Sequence, residues 1–194
     1  MKKAVIIIFL VVVIDQIIKI WVKTSFVLGE EINVIGNWFK IHFTENNGMA
    51  FGWEINGNYG KMILTSFRLI ALAIIGFYIS KLSKSQENSK YITPVSLIFA
   101  GALGNIIDSI FYGKIFSDSY FKIAEILPEE GGYASWFHGK VVDMFYFPII
   151  NTTLPSWFPL WGDEPFIFFA PVFNISDVSI TIGVFLLLII YNRK

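Results

Sequence analysis

The sequence predicts a membrane protein: an all-α bundle of four transmembrane helices with a small extracytoplasmic β-sheet. Three observations carry this fold class. Of the 194 residues, 55% are hydrophobic and 15% charged, with a mean hydropathy of +0.61, whereas soluble domains carry roughly 25% charged residues. Four stretches approach the ~20 mostly apolar residues that span a bilayer, at about 4–22, 62–80, 92–111 and 175–191. Short strand-like runs punctuated by glycines fill the connection at about 23–61. No repeat or second soluble domain is visible, so residues 1–194 read as one integral membrane domain.

Composition excludes several functions. An 18% aromatic content with 20 Phe is incompatible with disorder, which needs low hydrophobicity and high net charge. Fifteen basic and fifteen acidic residues cancel, leaving no global electrostatic footprint for nucleic acid. The absence of Cys removes disulfides, thiolate nucleophiles and Cys-ligated metals. His42 and His138 are the only imidazoles, too few for a His-rich metal site and unpromising for a Ser-His triad.

The first apolar run follows Met1-Lys2-Lys3 like a secretory signal, but it lacks a small-x-small cleavage site and contains Asp15, Gln16 and Lys19, so a retained helix is expected. Lys2 and Lys3, then Lys81, Lys84 and Lys90, then Arg193 and Lys194 flank the spans on one side. The positive-inside rule therefore puts both termini in the cytoplasm and the long connections outside. In the first connection, Ile32-Asn33-Val34 and Trp38 to Phe43 read as a small twisted sheet at the interface. The second, at about 112–174, carries Trp136, Trp157, Trp161 and several prolines. Such aromatics prefer the headgroup layer, which predicts an ordered, membrane-hugging segment.

With that orientation the polar residues of the spans fall at one level, the outer end. Intramembrane ionisable groups are costly and mark functional sites by default. Gly101, Gly104, Asn105 and Asp108 lie at i, i+3, i+4 and i+7, on one helix face. Small residues admit a neighbouring backbone and the polar groups bond across the gap, so tight packing explains Asn105 and Asp108 as readily as chemistry does. Asp15 and Lys19 stand at i, i+4, suited to an internal ion pair that orders the bundle, although Lys19 could instead snorkel to the interface. Arg68 suits pairing with a carboxylate or a lipid phosphate. Asn174 and Asp177 fit an N-cap followed by an acid at the third helical position. Asp143 is harder to dismiss, because a carboxylate inside the apolar run Val141 to Pro148 has no obvious local partner.

Carboxylates are thus the plausible catalytic groups. Two close carboxylates cannot both ionise readily, so one holds a proton while the other polarises a water for attack on an amide. Asp143 and Asp177 are the natural pair, since both sit where a loop meets the membrane surface; Asp108, deeper and beside Asn105, looks supporting. A rival class is a small non-enzymatic membrane protein, such as a transporter subunit moving an ion or proton through the same cluster. Alternating access would want polar groups at both depths or a broken helix near the midplane, and the sequence offers one level.

Five ordered blocks resemble the type II (lipoprotein) signal peptidases of bacterial inner membranes: Asp15-Gln16-Ile17-Ile18-Lys19, Asn46-Asn47-Gly48-Met49-Ala50-Phe51-Gly52, Gly101 to Asp108, Val141-Val142-Asp143 and Phe173-Asn174-Ile175-Ser176-Asp177. The resemblance implies an intramembrane aspartic endopeptidase that cuts a prolipoprotein signal peptide before its diacylglyceryl-modified Cys. It places the catalytic aspartates at Asp143 and Asp177. Asn46, Gly48, Asn105, Asp108, Asn174, Asp15 and Lys19 become positions that support the pair or bind substrate. It further implies lipid contact, inhibition by globomycin-like antibiotics, an active site at the periplasmic face, and no metal or organic cofactor. Three departures stand out: Ser109 replaces the Arg usual after the third-helix Asp, Ser176 replaces the usual Ala before the final Asp, and the stretches from Asp108 to Asp143 and from Asp143 to Asp177 are both longer than usual.

Overall fold

The computed structural model describes residues 1–47, 60–84, 89–159 and 161–193. It contains four helices long and apolar enough to cross a membrane: α1 (Lys2–Lys23), α2 (Gly60–Leu82), α3 (Ile92–Ile107) and α4 (Ile175–Asn192). The third span runs on from α3 through a π-helical turn, Asp108–Tyr112, and a closing helical turn, Gly113–Ile115. Helices exceed the apolar stretches by up to a turn because terminal Lys, Gly and Asn residues dilute hydropathy without breaking the helix.

Burial in α1 is inverted relative to a soluble helix. Val5, Ile6, Phe9 and Leu10 are exposed, as a lipid-facing surface requires, while Asp15, Lys19 and Lys23 are buried. Lys19 is 0% exposed, so it does not snorkel: its ammonium is held by Asp15 and Asp108 inside the bundle. α3 is the centre of the bundle and packs against the other three helices. Small residues permit this. A Cβ at Gly101 would lie 2.2 Å from the backbone oxygen of Ser176, and one at Gly183 would lie 2.7 Å from that of Pro94.

Over one end of the bundle lies an antiparallel sheet in the order β1-β2-β3-β6, formed by β1 (Glu31–Ile35), β2 (Phe39–Asn46), β3 (Val141–Tyr146) and β6 (Val172–Phe173). Between β3 and β6 the chain makes a separate hairpin of β4 (Ile150–Thr153) and β5 (Pro165–Phe168). The first two strands fall where the sequence suggests. β3 does not read as a strand locally: its first four residues are buried, so alternation is invisible. Its side chains nevertheless alternate. Val142 and Met144 enter a core with Val22, Phe26, Ile41, Phe43, Tyr112 and Phe116, while Asp143 points the other way.

The enlarged segment after the third span folds back on the sheet and helix ends. Leu28 N–H donates to Ser119 O at 3.0 Å, and Gly139 N–H to Ser109 O at 2.9 Å. Lys23, in the last turn of α1, is sealed beneath it. Its ammonium pairs with Glu45, donates to Ser119 Oγ at 2.9 Å, and lies 5.0 to 5.9 Å from the rings of Tyr133, Phe116 and Phe43, within cation–π range.

Candidate active site

Two elements bring carboxylates together at the sheet-covered end of the bundle. The first is α4, which starts with a capping box: Asn174 Oδ1 accepts the Asp177 N–H at 2.9 Å, and Asp177 Oδ2 accepts the Asn174 N–H at 3.2 Å. This satisfies two helix-end donors and sets a negative charge at the positive end of the helix dipole. Simple capping is therefore present, and it also fixes the direction of Asp177. The second element is β3, whose Asp143 stands opposite Thr44 in the register with β2.

Amides bridge the two acids. Asn174 Nδ2 donates to Asp143 Oδ1 at 2.6 Å and is also close to Val142 O at 3.3 Å and Asn105 Oδ1 at 3.2 Å. Asn105 Nδ2 donates to Asp177 Oδ1 at 2.9 Å. Asn46 Nδ2 donates to Asp143 Oδ2, so the partner missing locally in sequence comes from a strand 97 residues away. Burial, reinforced by the Asp177 charge, pushes the Asp143 carboxyl up to about 7 despite these donors.

Beneath the acids lies a buried charge cluster. Lys19 Nζ sits 3.0 Å from Asp15 and 2.8 Å from Asp108, all three side chains being 0% exposed, and donates to Asn105 Oδ1 at 2.8 Å. Asp15 Oδ1 accepts the Ser176 N–H at 2.9 Å, tying α1 to the first turn of α4. Asp108 reaches the opposite element, with Oδ2 accepting the Val142 N–H at 3.3 Å next to Asp143. The π turn that begins at Asp108 suits this, since π-helical turns re-aim a side chain out of the regular helix and recur at functional sites.

Asp15, Lys19, Asn46, Asn105, Asp108, Asp143, Asn174 and Asp177 are thus joined in one hydrogen-bonded network. Gly48, and the rest of the block to Gly52, lie outside the described residues. Ser109 donates its hydroxyl to Asn105 O at 2.9 Å. The Ser176 hydroxyl faces Gly104 and Asp15 rather than Asp143, and is buried with no hydrogen-bond partner among the described residues. Arg68 is half-buried, within electrostatic range of Asp177. Among the described residues no group of three or more His, Asp or Glu is placed to hold a metal ion.

Two participants carry weak sequence signals. Gln16 donates to Asp108 at 2.9 Å and accepts from Tyr112 OH at 3.1 Å, and its hint is its place between Asp15 and Lys19. Glu45 adjoins Asn46 and holds Lys23, a pairing that only the folded sheet reveals.

A family model described as Signal peptidase (SPase) II matches residues 7–193. A lipoprotein signal peptidase of Porphyromonas gingivalis is 52% identical over 187 residues, covering 96% of this chain and 81% of its own. One from Amoebophilus asiaticus is 42% identical, covering 93% of this chain and 73% of its own. A bacterial membrane enzyme solved by the in meso method at 2.3 Å superposes with a TM-score of 0.64 at 26% identity, over 100% of this chain and 89% of that one. With a family model matched over residues 7–193 and a relative 52% identical over most of both chains, the chain belongs to the signal peptidase II family of proteases.

Proposed function

We propose that this chain is an aspartic endopeptidase that removes signal peptides from prolipoproteins, cutting before the diacylglyceryl-modified Cys, with Asp143 and Asp177 activating the attacking water. The observation that carries the reading is the amide bridge through Asn174 and Asn105, which holds two carboxylates in one electrostatic unit and leaves one of them with a pKa near neutrality. At neutral pH Asp143 holds the shared proton. Asp177, at the start of α4 and accepting from two donors, takes a proton from water as the water oxygen bonds to the scissile carbonyl carbon. Asp143 gives its proton to the carbonyl oxygen. Collapse of the tetrahedral intermediate returns that proton to Asp143 and passes the one held by Asp177 to the departing amide nitrogen, breaking the C–N bond and restoring the pair.

Asn46, Asn105 and Asn174 orient the acids, and Asp15, Lys19 and Asp108 brace the two elements beneath them. The distribution of Lys and Arg supports cytoplasmic termini and a site at the periplasmic face of the inner membrane. A substrate anchored by acyl chains would meet the pair there, with globomycin-like antibiotics competing for the same place. The direct experiment is cleavage of a diacylglyceryl-modified prolipoprotein by purified protein, with and without globomycin. Cleavage at another bond, or none, would overturn the assignment.

A further inference from the structure

The β4–β5 hairpin stands apart from the sheet, and all four residues of each strand are exposed. Its register sorts its side chains. Ile150 pairs with Phe168 and Thr152 with Phe166, whereas Asn151 pairs with Ile167 and Thr153 with Pro165. Directly paired residues share a face, so Ile150, Phe166 and Phe168, with Thr152, form the more apolar side, and Asn151 and Thr153, with Ile167 and Pro165, form the other. Beyond the strands the chain closes through Asp163 N–H to Leu154 O at 3.0 Å, displaying Trp157 at 78% and Trp161 at 57% exposure. A two-stranded hairpin in water is marginal alone, and this one turns its largest apolar groups outward.

The root of the hairpin lies close in sequence to the start of the spanning helix α4. Phe169, at φ 66° in the left-handed region that bulky side chains avoid, sets its ring edge-on against Phe173 at 6.1 Å. Phe173 stacks on Phe147 at 5.7 Å, and Phe147 on Phe39 at 4.7 Å. Phe173 also directly precedes the cap of α4. An unbroken aromatic surface therefore runs from the hairpin to the first turn of a spanning helix. No Lys or Arg occurs between Lys140 and Arg193, and the charges of the hairpin, Asp163 and Glu164, sit at its far end away from the Ile150/Phe168 root, which leaves the root uncharged, and Trp is the side chain most at home among headgroups.

From this continuity we infer that the β4–β5 hairpin is an interfacial membrane anchor, its Ile150/Phe166/Phe168 face and Trp157 seated in the headgroup and upper acyl layer of the leaflet that α4 enters. The inference is independent of which bond the protein cleaves.

The chain has no cysteine, so single variants Trp157→Cys, Phe168→Cys and Asn151→Cys can carry a nitroxide, with Ile182→Cys in α4 and Glu130→Cys in the polar segment as lipid and water references. In proteoliposomes of phosphatidylethanolamine and phosphatidylglycerol, collision rates with oxygen and with a water-soluble nickel chelate report depth. The expected oxygen-to-nickel ratio at Phe168 and Trp157 is several times that at Glu130, with Asn151 close to Glu130. A ratio at Phe168 and Trp157 equal to that at Glu130 would overturn the anchor. So would shielding from both reagents, which would mean that protein, a second copy or another chain, covers the face. The substituted side chains are exposed, and circular dichroism with the Ile182 reference verifies that each labelled protein is folded and inserted.

Discussion

Asn174 donates its side-chain amide to Asp143 at 2.6 Å while its side-chain oxygen caps the helix that carries Asp177. Capping and orientation are separable, because serine caps as well as asparagine but its hydroxyl is too short to reach across to β3. Asn174→Ser and Asn174→Ala should therefore lose kcat to a similar extent, with the alanine variant less stable by about 1 kcal/mol, the worth of the cap. Thermal unfolding in detergent alongside turnover separates the two effects. Full activity in Asn174→Ser would deny the contact to Asp143 any role.

Asp143→Asn and Asp177→Asn should each abolish cleavage in a folded, membrane-inserted protein. In the parent, kcat/KM should fall as pH rises through about 7, where Asp143 loses its proton. The sign follows from the environment: burial and a neighbouring anion both disfavour the charged form, so the proton is held at lower pH. Removing that neighbour in Asp177→Asn should move the midpoint down. This is readable without turnover as the pH at which the protonated-carboxyl infrared band disappears, and an unmoved midpoint would break the coupling between the two acids.

Lys19→Met leaves Asp15 and Asp108 without their shared cation in a site closed to water. Orphaning a buried charge in this way costs on the order of 3 to 5 kcal/mol. A second change, Asp108→Asn, should recover part of that loss by removing one of the two anions. Unfolding of the single and double variants tests this, and a Lys19→Met protein as stable as the parent would mean that the cluster is not a bracing element.

Gly101→Ala should lose activity and stability together, since the new methyl would lie 2.2 Å from the Ser176 carbonyl oxygen and 2.7 Å from Ile180 Cγ1. The backbone cannot yield without displacing the turn that carries Asp177. Gly76→Ala, where the nearest atom is Phe99 Cε2 at 3.1 Å, asks only a ring edge to shift. Turnover of the two variants should differ sharply.

Much of this fold is legible in sequence because a spanning helix declares itself over ~20 residues by composition alone. The stripe of Gly101, Gly104, Asn105 and Asp108 is equally local: the glycines admit α4 and the polar pair reaches Lys19 and Asp177. What escapes is non-local. Strand β3 hides because its partners lie far away in sequence and burial on both faces erases alternation. Lys23 reads as the first residue of a loop, yet it is sealed by Glu45 and by Ser119, 96 residues on. At Asn174 and Asp177 a cap and a polar site share one signature, so sequence alone could not say that the capping box also joins Asp143 and Asn105.

The spacing of Asp15, Lys19 and Lys23, each four residues from the next, makes the seating of α1 self-checking. A helix can creep along its axis by one turn, ~5.4 Å, with little penalty when its surface is uniform hydrocarbon. Here such a slip toward its own N-terminal end would carry Lys23 into the seat of Lys19, a harmless exchange by itself. It would also carry Lys19 into the seat of Asp15, setting an ammonium against the Ser176 N–H that now meets a carboxylate oxygen, with Asp108 left to answer two cations. Slipping the other way would bring Asp15 level with Lys19 and press two anions together. Neither error has a low-energy resting point, so the first helix can lodge at one height only, and the polar network above it inherits that height.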